Sequence, residues 1–219
     1  MISRFAAAAG AALVGFTLWS ASPLLAEDYA PAPEIAEGQA SAIFAGGCFW
    51  CVEADFDKIP GVISTTSGYT GGEVKRPSYK QVTYKETGHY EAVQIVYDPS
   101  VVSYDALLTA FWHSVDPTDP GGQFCDRGSS YRTAIFVDGD EEREAAETSK
   151  DSVAEHVKGE RPIVTPILDA APFYPAEVYH QDYYEKNPVR YRYYRSRCGR
   201  DARVKAIWGK TAYEGIPKS

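Results

Sequence analysis

Apolar positions along the chain change period several times, and each change predicts an element. A short apolar run over 41–45 closed by Gly46-Gly47 predicts a strand and a turn. Phe49, Val52, Phe56 and Ile59 then recur at helical spacing until Pro60-Gly61 ends the helix. Strands are predicted over 62–67, 92–97, 131–137 and 163–168. Residues 103–114 read as a helix capped by Ser103, with Tyr104, Leu107, Leu108 and Phe111 on its buried face. An acidic helix over 141–158 and a short one over 181–185 complete the order. Strands and helices in mixed succession predict an α+β fold, with helices packed on a mixed sheet.

Three segments stand outside this pattern. Over 1–26 a single charge, Arg4, precedes an uncharged apolar run, after which Ser20, Ser22 and Pro23 break the helical pattern and Ala26 meets Glu27 and Asp28. That order predicts a secretory signal peptide and an exported, periplasmic protein. An uncleaved membrane anchor is the alternative, because the uncharged stretch approaches the ~20 residues that span a bilayer. Residues 27–39, with Pro31 and Pro33 and no apolar period, predict a linker, so the folded domain is expected over 40–190. Residues 191–219 show no clear period and are expected to form an irregular C-terminal tail.

Composition narrows the function. The chain has 219 residues, 44% hydrophobic, 13% aromatic and 24% charged, which excludes disordered, collagen-like and coiled-coil classes. A net charge of -8 argues against nucleic acid as a partner, since phosphate contacts require a basic footprint. Arg195, Arg197 and Arg200 are the local exception, a short basic patch compatible with RNA or a membrane surface.

The four cysteines, Cys48, Cys51, Cys125 and Cys198, carry most of the chemistry. Cys48 falls at a predicted helix start, where free N–H groups and the helix dipole favour a thiolate, so it is the candidate nucleophile. Cys48-Phe-Trp-Cys51 also has the spacing of a redox dithiol or of half a zinc site. Zinc would need two further ligands, and Cys125 and Cys198 are isolated in sequence, so no metal is expected. No phosphate loop, dinucleotide fingerprint or Ser-His-Asp triad is present. No cofactor is therefore expected, and reducing equivalents should arrive by thiol–disulfide exchange.

The string Gly46-Gly-Cys-Phe-Trp-Cys-Val-Glu53 resembles the active-site signature of the A-type peptide methionine sulfoxide reductases. Further blocks resemble the same family in order: Gly68-Tyr-Thr-Gly-Gly72, Pro77-Ser-Tyr79, Gly88-His-Tyr-Glu-Ala-Val93, Asp116-Pro-Thr118, residues 126–132 and Tyr179-His-Gln-Asp-Tyr183. The resemblance implies a ferredoxin-like sandwich and thiol-dependent reduction of methionine S-sulfoxide, free or in proteins. It assigns the attack to Cys48, the proton to Glu91, hydrogen bonds on the sulfoxide oxygen to Tyr79 and Tyr131, and a positioning role to Asp126. Phe49 and Trp50 would form the apolar wall for the S-methyl group. Attack leaves Cys48 as a sulfenic acid that a second thiol must resolve. C-terminal resolving cysteines occur in this family, and Cys198 has arginines and Gly199 beside it, so a Cys48–Cys198 disulfide is expected. Cys51 and Cys125 remain open as alternatives. A thioredoxin-like thiol reductant and a monomeric enzyme complete the expectation. Two other readings stay open, a thioredoxin-like disulfide oxidoreductase using Cys48 and Cys51 and a non-enzymatic redox-sensing module.

Overall fold

The computed structural model describes residues 28–157 and 161–218, so the signal peptide expected over 1–26 lies outside the described residues. In chain order the elements are β1 (Ala40–Gly46), α1 (Phe49–Phe56), β2 (Val62–Thr70), α2 (Tyr79–Tyr84), β3 (Tyr90–Tyr97) and α3 (Tyr104–Trp112). They continue with β4 (Gly122–Gln123), β5 (Asp126–Arg127), β6 (Thr133–Val137), α4 (Asp140–His156), β7 (Ile167–Asp169) and β8 (Tyr174–Pro175). Three helices end the chain: α5 (Tyr183–Lys186), α6 (Pro188–Cys198) and α7 (Arg200–Trp208).

Six strands form one sheet in the order β7-β6-β1-β3-β2-β8, and β4 and β5 make a separate hairpin. β1 lies antiparallel between β3 and β6, and β2 pairs antiparallel with β3. β6 and β7 run parallel, as a connection through α4 allows, so the sheet is mixed and the fold is α+β.

Period-two alternation decides which side chains reach the helices. Val93, Ile95 and Tyr97 of β3 join Phe44, Ile135 and Val137 in the core shared with Phe49, Val52 and Phe56 of α1 and with Leu107, Leu108 and Phe111 of α3. Tyr90, Ala92, Ala45, Ala134 and Phe136 pack together on the opposite face. Glu91 is two residues from Val93, so a carboxylic acid points into the helical layer and is only 2% exposed. Ser103 caps α3 by accepting from the Ala106 N–H at 3.2 Å. α2, which the apolar pattern does not predict, starts at a capping box between Ser78 and Gln81.

Two expectations are corrected. The strand over 163–168 is reduced to Ile167–Asp169, because Pro166 has no N–H to give a ladder and Val164 instead donates to the Pro117 carbonyl at 2.8 Å. The tail after residue 190 is not irregular: Pro188 opens α6, Gly199 (φ +75°) separates it from α7, and both are helices. Their apolar pattern is sparse because Tyr191 is the buried position of α6, and α7 buries Arg200 beside Val204 and Trp208. Within the segment read as a linker, residues 28–30 run beside 176–178, with the Ala30 N–H bonded to the Ala176 carbonyl at 2.9 Å. Among the described residues no helix is long and apolar enough to cross a membrane.

Candidate active site

The site begins at the turn between β1 and α1. Gly47 has φ +84°, and a Cβ there would lie 2.5 Å from the Gln123 side chain. Gln123 cannot yield, because it is buried and holds the Asp116 N–H at 2.9 Å and the Asp116 carbonyl at 2.8 Å. Gly47→Ala therefore combines a left-handed backbone with a clash and should destabilise the fold by about 1–3 kcal/mol, read as a lower denaturant midpoint.

The turn sets Cys48 as the residue before the first turn of α1, where its carbonyl accepts from the Cys51 N–H at 3.0 Å. Its side chain lines a cavity of about 60 Å³ together with Phe49, Trp50, Tyr79, Glu91, Asp126, Tyr131 and Tyr194. Four separate parts of the chain thus bring the five residues expected to act on the sulfoxide, and the two aromatic wall residues, around one sulfur. Larger grooves lie between α3 and α4 and beneath α6, and neither is lined by a cysteine.

Glu91 accepts the Phe49 N–H at 3.1 Å. Burial pushes its carboxyl well above the ordinary range, and the negative Asp126 and Glu177 push the same way against the single N–H donor, which favours the protonated acid. The hydroxyls of Tyr79 and Tyr131 bond to each other, and burial raises both phenols above their ordinary range. Asp126 accepts the Tyr194 hydroxyl. Burial raises its carboxyl while Tyr194 and the Arg200 charge pull the other way. Three proton-bearing oxygens and one hydrogen-bonded carboxyl face the sulfur of Cys48, an arrangement suited to holding and protonating a small oxygen acceptor.

The apolar wall is held as firmly. The Trp50 indole N–H donates to His180 Nδ1 at 3.0 Å, and its ring stacks on Tyr183 at 3.7 Å. Burial pushes His180 down to about 4, so the ring is neutral and Nδ1 is free to accept. Phe49 packs on Tyr69, Tyr79 and His180. His89 orders the loop after β2, accepting the Gly72 N–H at 3.2 Å on Nδ1 and placing Nε2 2.7 Å from the Val74 carbonyl.

The thiols depart from expectation. Burial pushes the Cys48 thiol up, and its hydrogen bond to Cys51 and the nearby carboxyls add to that. Cys51 is drawn down chiefly by the same hydrogen bond and less by Arg200 and Arg195, against its own burial. Cys198 is not paired with Cys48. It forms a disulfide with Cys125, with Cα atoms 4.9 Å apart, and Cys48 and Cys51 are free and buried. The reason is geometric: α6 runs to the outer end of the β4–β5 turn, where Phe124 (φ +55°) and Cys125 form the loop and Cys125 is exposed. The arginines expected to ionise Cys198 are also spent elsewhere, Arg195 on Asp55 at 2.8 Å and Arg200 in the protein interior. The disulfide still borders the site, since a Cys198 sulfur lies 3.7 Å from Asp126. Cys125, Asp126 and Cys198 present ligand atoms within 4.8 Å of one another, but two of those atoms are sulfurs already bonded together.

Three contributors escaped sequence reasoning. Glu177 is buried and accepts the Tyr79 N–H at 2.8 Å and the Tyr69 hydroxyl at 2.9 Å, fixing the start of α2 and with it the Tyr79 phenol. Tyr194 lines the cavity and holds Asp126. Arg200 is 1% exposed behind the Cys48 turn. Each is a polar side chain whose burial is set by distant parts of the chain, so no local spacing marks it.

Comparison with known proteins places this geometry. A sequence profile described as Peptide methionine sulfoxide reductase matches residues 40–212. A peptide methionine sulfoxide reductase MsrA of Bacillus licheniformis is 52% identical over 176 residues, 80% of this chain and 97% of that protein. Methionine sulfoxide reductase A of Corynebacterium diphtheriae superposes with a TM-score of 0.63 at 34% identity, covering 70% of this chain and 77% of that one. Mxr1 of Saccharomyces cerevisiae in reduced form gives a TM-score of 0.66 at 28% identity, covering 71% of this chain and 90% of its own. With a profile that spans the whole sheet and its cavity, and relatives identical at half of their positions, the chain belongs to the peptide methionine sulfoxide reductase family.

Proposed function

We infer that this protein reduces methionine sulfoxide to methionine by direct attack of Cys48 on the sulfoxide sulfur. The observation that carries the reading is the placement of the buried Glu91, whose carboxyl burial pushes up, and two tyrosine hydroxyls around the same small cavity as the Cys48 side chain. The S-methyl group sits against Phe49 and Trp50, which desolvate it and aim the sulfur. Cys48 passes its proton to the Cys51 thiolate as it attacks. Glu91 delivers a proton to the sulfoxide oxygen while Tyr79 and Tyr131 hold it. The attack forms a bond between the Cys48 and substrate sulfurs; the protonated oxygen then leaves the substrate sulfur as hydroxide and adds to the Cys48 sulfur, breaking that S–S bond, so that methionine departs and Cys48 is left as a sulfenic acid. Sulfur in the substrate gains two electrons and Cys48 loses two.

A second thiol then condenses with the sulfenic acid, releasing water and forming a disulfide. The direct hydrogen bond between the two sulfurs supports Cys51 in this role ahead of Cys198, which is engaged with Cys125. An external thioredoxin-like dithiol reduces the result, and the exposed Cys125 beside the site supports the outer disulfide as its point of access. The central strand order β6-β1-β3-β2, wrapped by α1 and α3, supports a ferredoxin-like sandwich as the core. A site built wholly from one chain supports a monomer, and the Cys125–Cys198 disulfide suits an exported, periplasmic setting. The chirality of the reaction follows from the fixed sides of the cavity, methyl against Trp50 and oxygen against Glu91, and the family resemblance supports the S epimer.

The test is stoichiometric oxidation without added reductant, using each separated epimer of a methyl sulfoxide. The S epimer should yield about one equivalent of sulfide, with a new Cys48–Cys51 disulfide in non-reducing peptide maps and Cys125–Cys198 retained. No sulfide from either epimer, with reduction of insulin disulfides instead, would favour a dithiol oxidoreductase. A dominant Cys48–Cys198 linkage would return the resolving role to Cys198.

A further inference from the structure

Residues 28–30 lie outside the 40–212 stretch that matches the family profile, yet they add an edge to the sheet beyond β8. The Ala30 N–H donates to the Ala176 carbonyl at 2.9 Å and the Val178 N–H to the Asp28 carbonyl at 2.7 Å, so Tyr29 pairs antiparallel with Glu177. On its other side Ala176 donates to the Ser67 carbonyl of β2 at 2.8 Å. The strip that carries Glu177 is therefore held between β2 and the N-terminal segment. Tyr29 reaches a second strip as well. Its hydroxyl donates to the Arg76 carbonyl at 3.3 Å, and the Arg76 guanidinium lies 5.3 Å from the centre of its ring. Arg76 has φ +47°, a left-handed backbone that a non-glycine residue keeps only where its surroundings impose it.

Both strips lead to Tyr79. The buried Glu177 accepts the Tyr79 N–H on Oε1 at 2.8 Å and the Tyr69 hydroxyl on Oε2 at 2.9 Å. Arg76 is followed by Pro77 and by Ser78, the cap of α2, and Tyr79 then opens that helix and lines the cavity beside Cys48. We propose that residues 28–30 are a strap that positions Tyr79 on the sulfoxide oxygen, by fixing the backbone on either side of Glu177 and the loop that enters α2. The strap does not line the cavity, so Tyr29 and Ala30 are positioning residues that act through Tyr79. This role rests on the proposed reduction at Cys48 and adds to it a part of the chain whose sequence reads only as a linker.

A hydroxyl that stabilises developing charge must be held where that charge appears, and small displacements are costly. α2 is only six residues long, too short to hold its own place, so its start depends on what grips it from outside. β8 is shorter still, two residues paired with Gly68 and Tyr69 of β2, and its open side would present unpaired backbone groups to water without the strap. The loop that enters α2 is gripped at both ends. His89 holds the Gly72 N–H at 3.2 Å and the Val74 carbonyl at 2.7 Å, while Tyr29 holds the Arg76 carbonyl next to the helix. Loosening the strap therefore frees the end of the loop that Tyr79 follows.

Single-turnover reduction of the S epimer of a methyl sulfoxide, by the full chain and its variants, tests this. Ala30→Pro removes the N–H that bonds Ala176, and Tyr29→Ala removes the contacts to Arg76; both changes lie on the outer edge of the sheet. Each should slow sulfide formation by about tenfold with little change in apparent affinity for the sulfoxide, because a donor is displaced and the methyl wall is not. Tyr29→Phe keeps the ring beneath Arg76 and should recover most of the rate. In the Tyr79→Phe background the first two substitutions should cost less than about twofold, since the donor they displace is already gone. Wild-type rates in both variants, or the same cost with and without the Tyr79 hydroxyl, would overturn the proposal. Deuterium exchange of the Tyr79 amide needs no substrate and should quicken about tenfold in Ala30→Pro and Tyr29→Ala, and unchanged exchange in both would equally end it. A wild type that yields no sulfide, with exchange responding as expected, would instead count against the proposed activity.

Discussion

Replacing Cys48 by serine is expected to abolish sulfoxide reduction altogether, including the first turnover, while leaving the fold intact. The side chain is 6% exposed at a position where Ser is nearly isosteric, so stability should change little. Chemistry should change entirely, because a hydroxyl is far less acidic and less nucleophilic than a thiol even beside Cys51, and it cannot become a sulfenic acid. Cys51→Ser should behave differently. Its thiol is not the attacking atom, so mixing excess enzyme with the S epimer should still give about one equivalent of sulfide, with slower attack because the acceptor for the Cys48 proton is gone. Cys125→Ser and Cys198→Ser should likewise give one equivalent, with effects confined to repeated turnover. Rapid-quench measurement of sulfide per enzyme separates these cases. A full equivalent from Cys48→Ser would remove Cys48 from the chemistry.

Glu91→Gln should slow the reductive step by ~10²-fold or more, the usual worth of a positioned general acid. Glutamine can still accept the Phe49 N–H through its carbonyl oxygen, so the cavity should keep its shape. What is lost is the transferable proton. The sign of the pH dependence follows from the environment. Burial and the neighbouring carboxyls raise Glu91 far above the ordinary carboxylate range. It is therefore protonated and competent below that raised value, and activity falls as pH rises through it. The acid limb belongs to the dithiol, whose thiolate is lost as pH falls. Wild type should show a bell in single-turnover rate against pH, and Glu91→Gln should lose the alkaline limb as well as the rate. A variant with wild-type rate, or one that is slow but keeps the alkaline limb, would assign the proton elsewhere.

The chain's own pattern determined the frame of this protein and its reacting groups. Alternation in β3, helical spacing after Gly47 and the cap at Ser103 are local signals, because each residue's burial is set by neighbours two to four positions away. Those signals, with the motif blocks, were enough to mark Cys48, Phe49, Trp50, Tyr79, Glu91, Asp126 and Tyr131, all of which line the cavity. The tertiary structure alone decided the thiol partners and the electrostatics. Cys198 meets Cys125 across 73 residues because α6 packs toward the β4–β5 turn, a geometry that no spacing along the chain encodes. Arg195 and Arg200 neighbour Cys198 in sequence, but Arg195 pairs with Asp55 of α1 and Arg200 is buried against the Gly46 and Ser114 carbonyls, and both charges pull the Cys51 thiol down. Glu177 reaches Tyr79 over 98 residues, and nothing local distinguishes it from a solvated carboxylate. Short-range patterns report which face of an element is buried. Which charges then meet across that buried face depends on how the elements pack, and in a low-dielectric interior those meetings set the protonation of the groups that react.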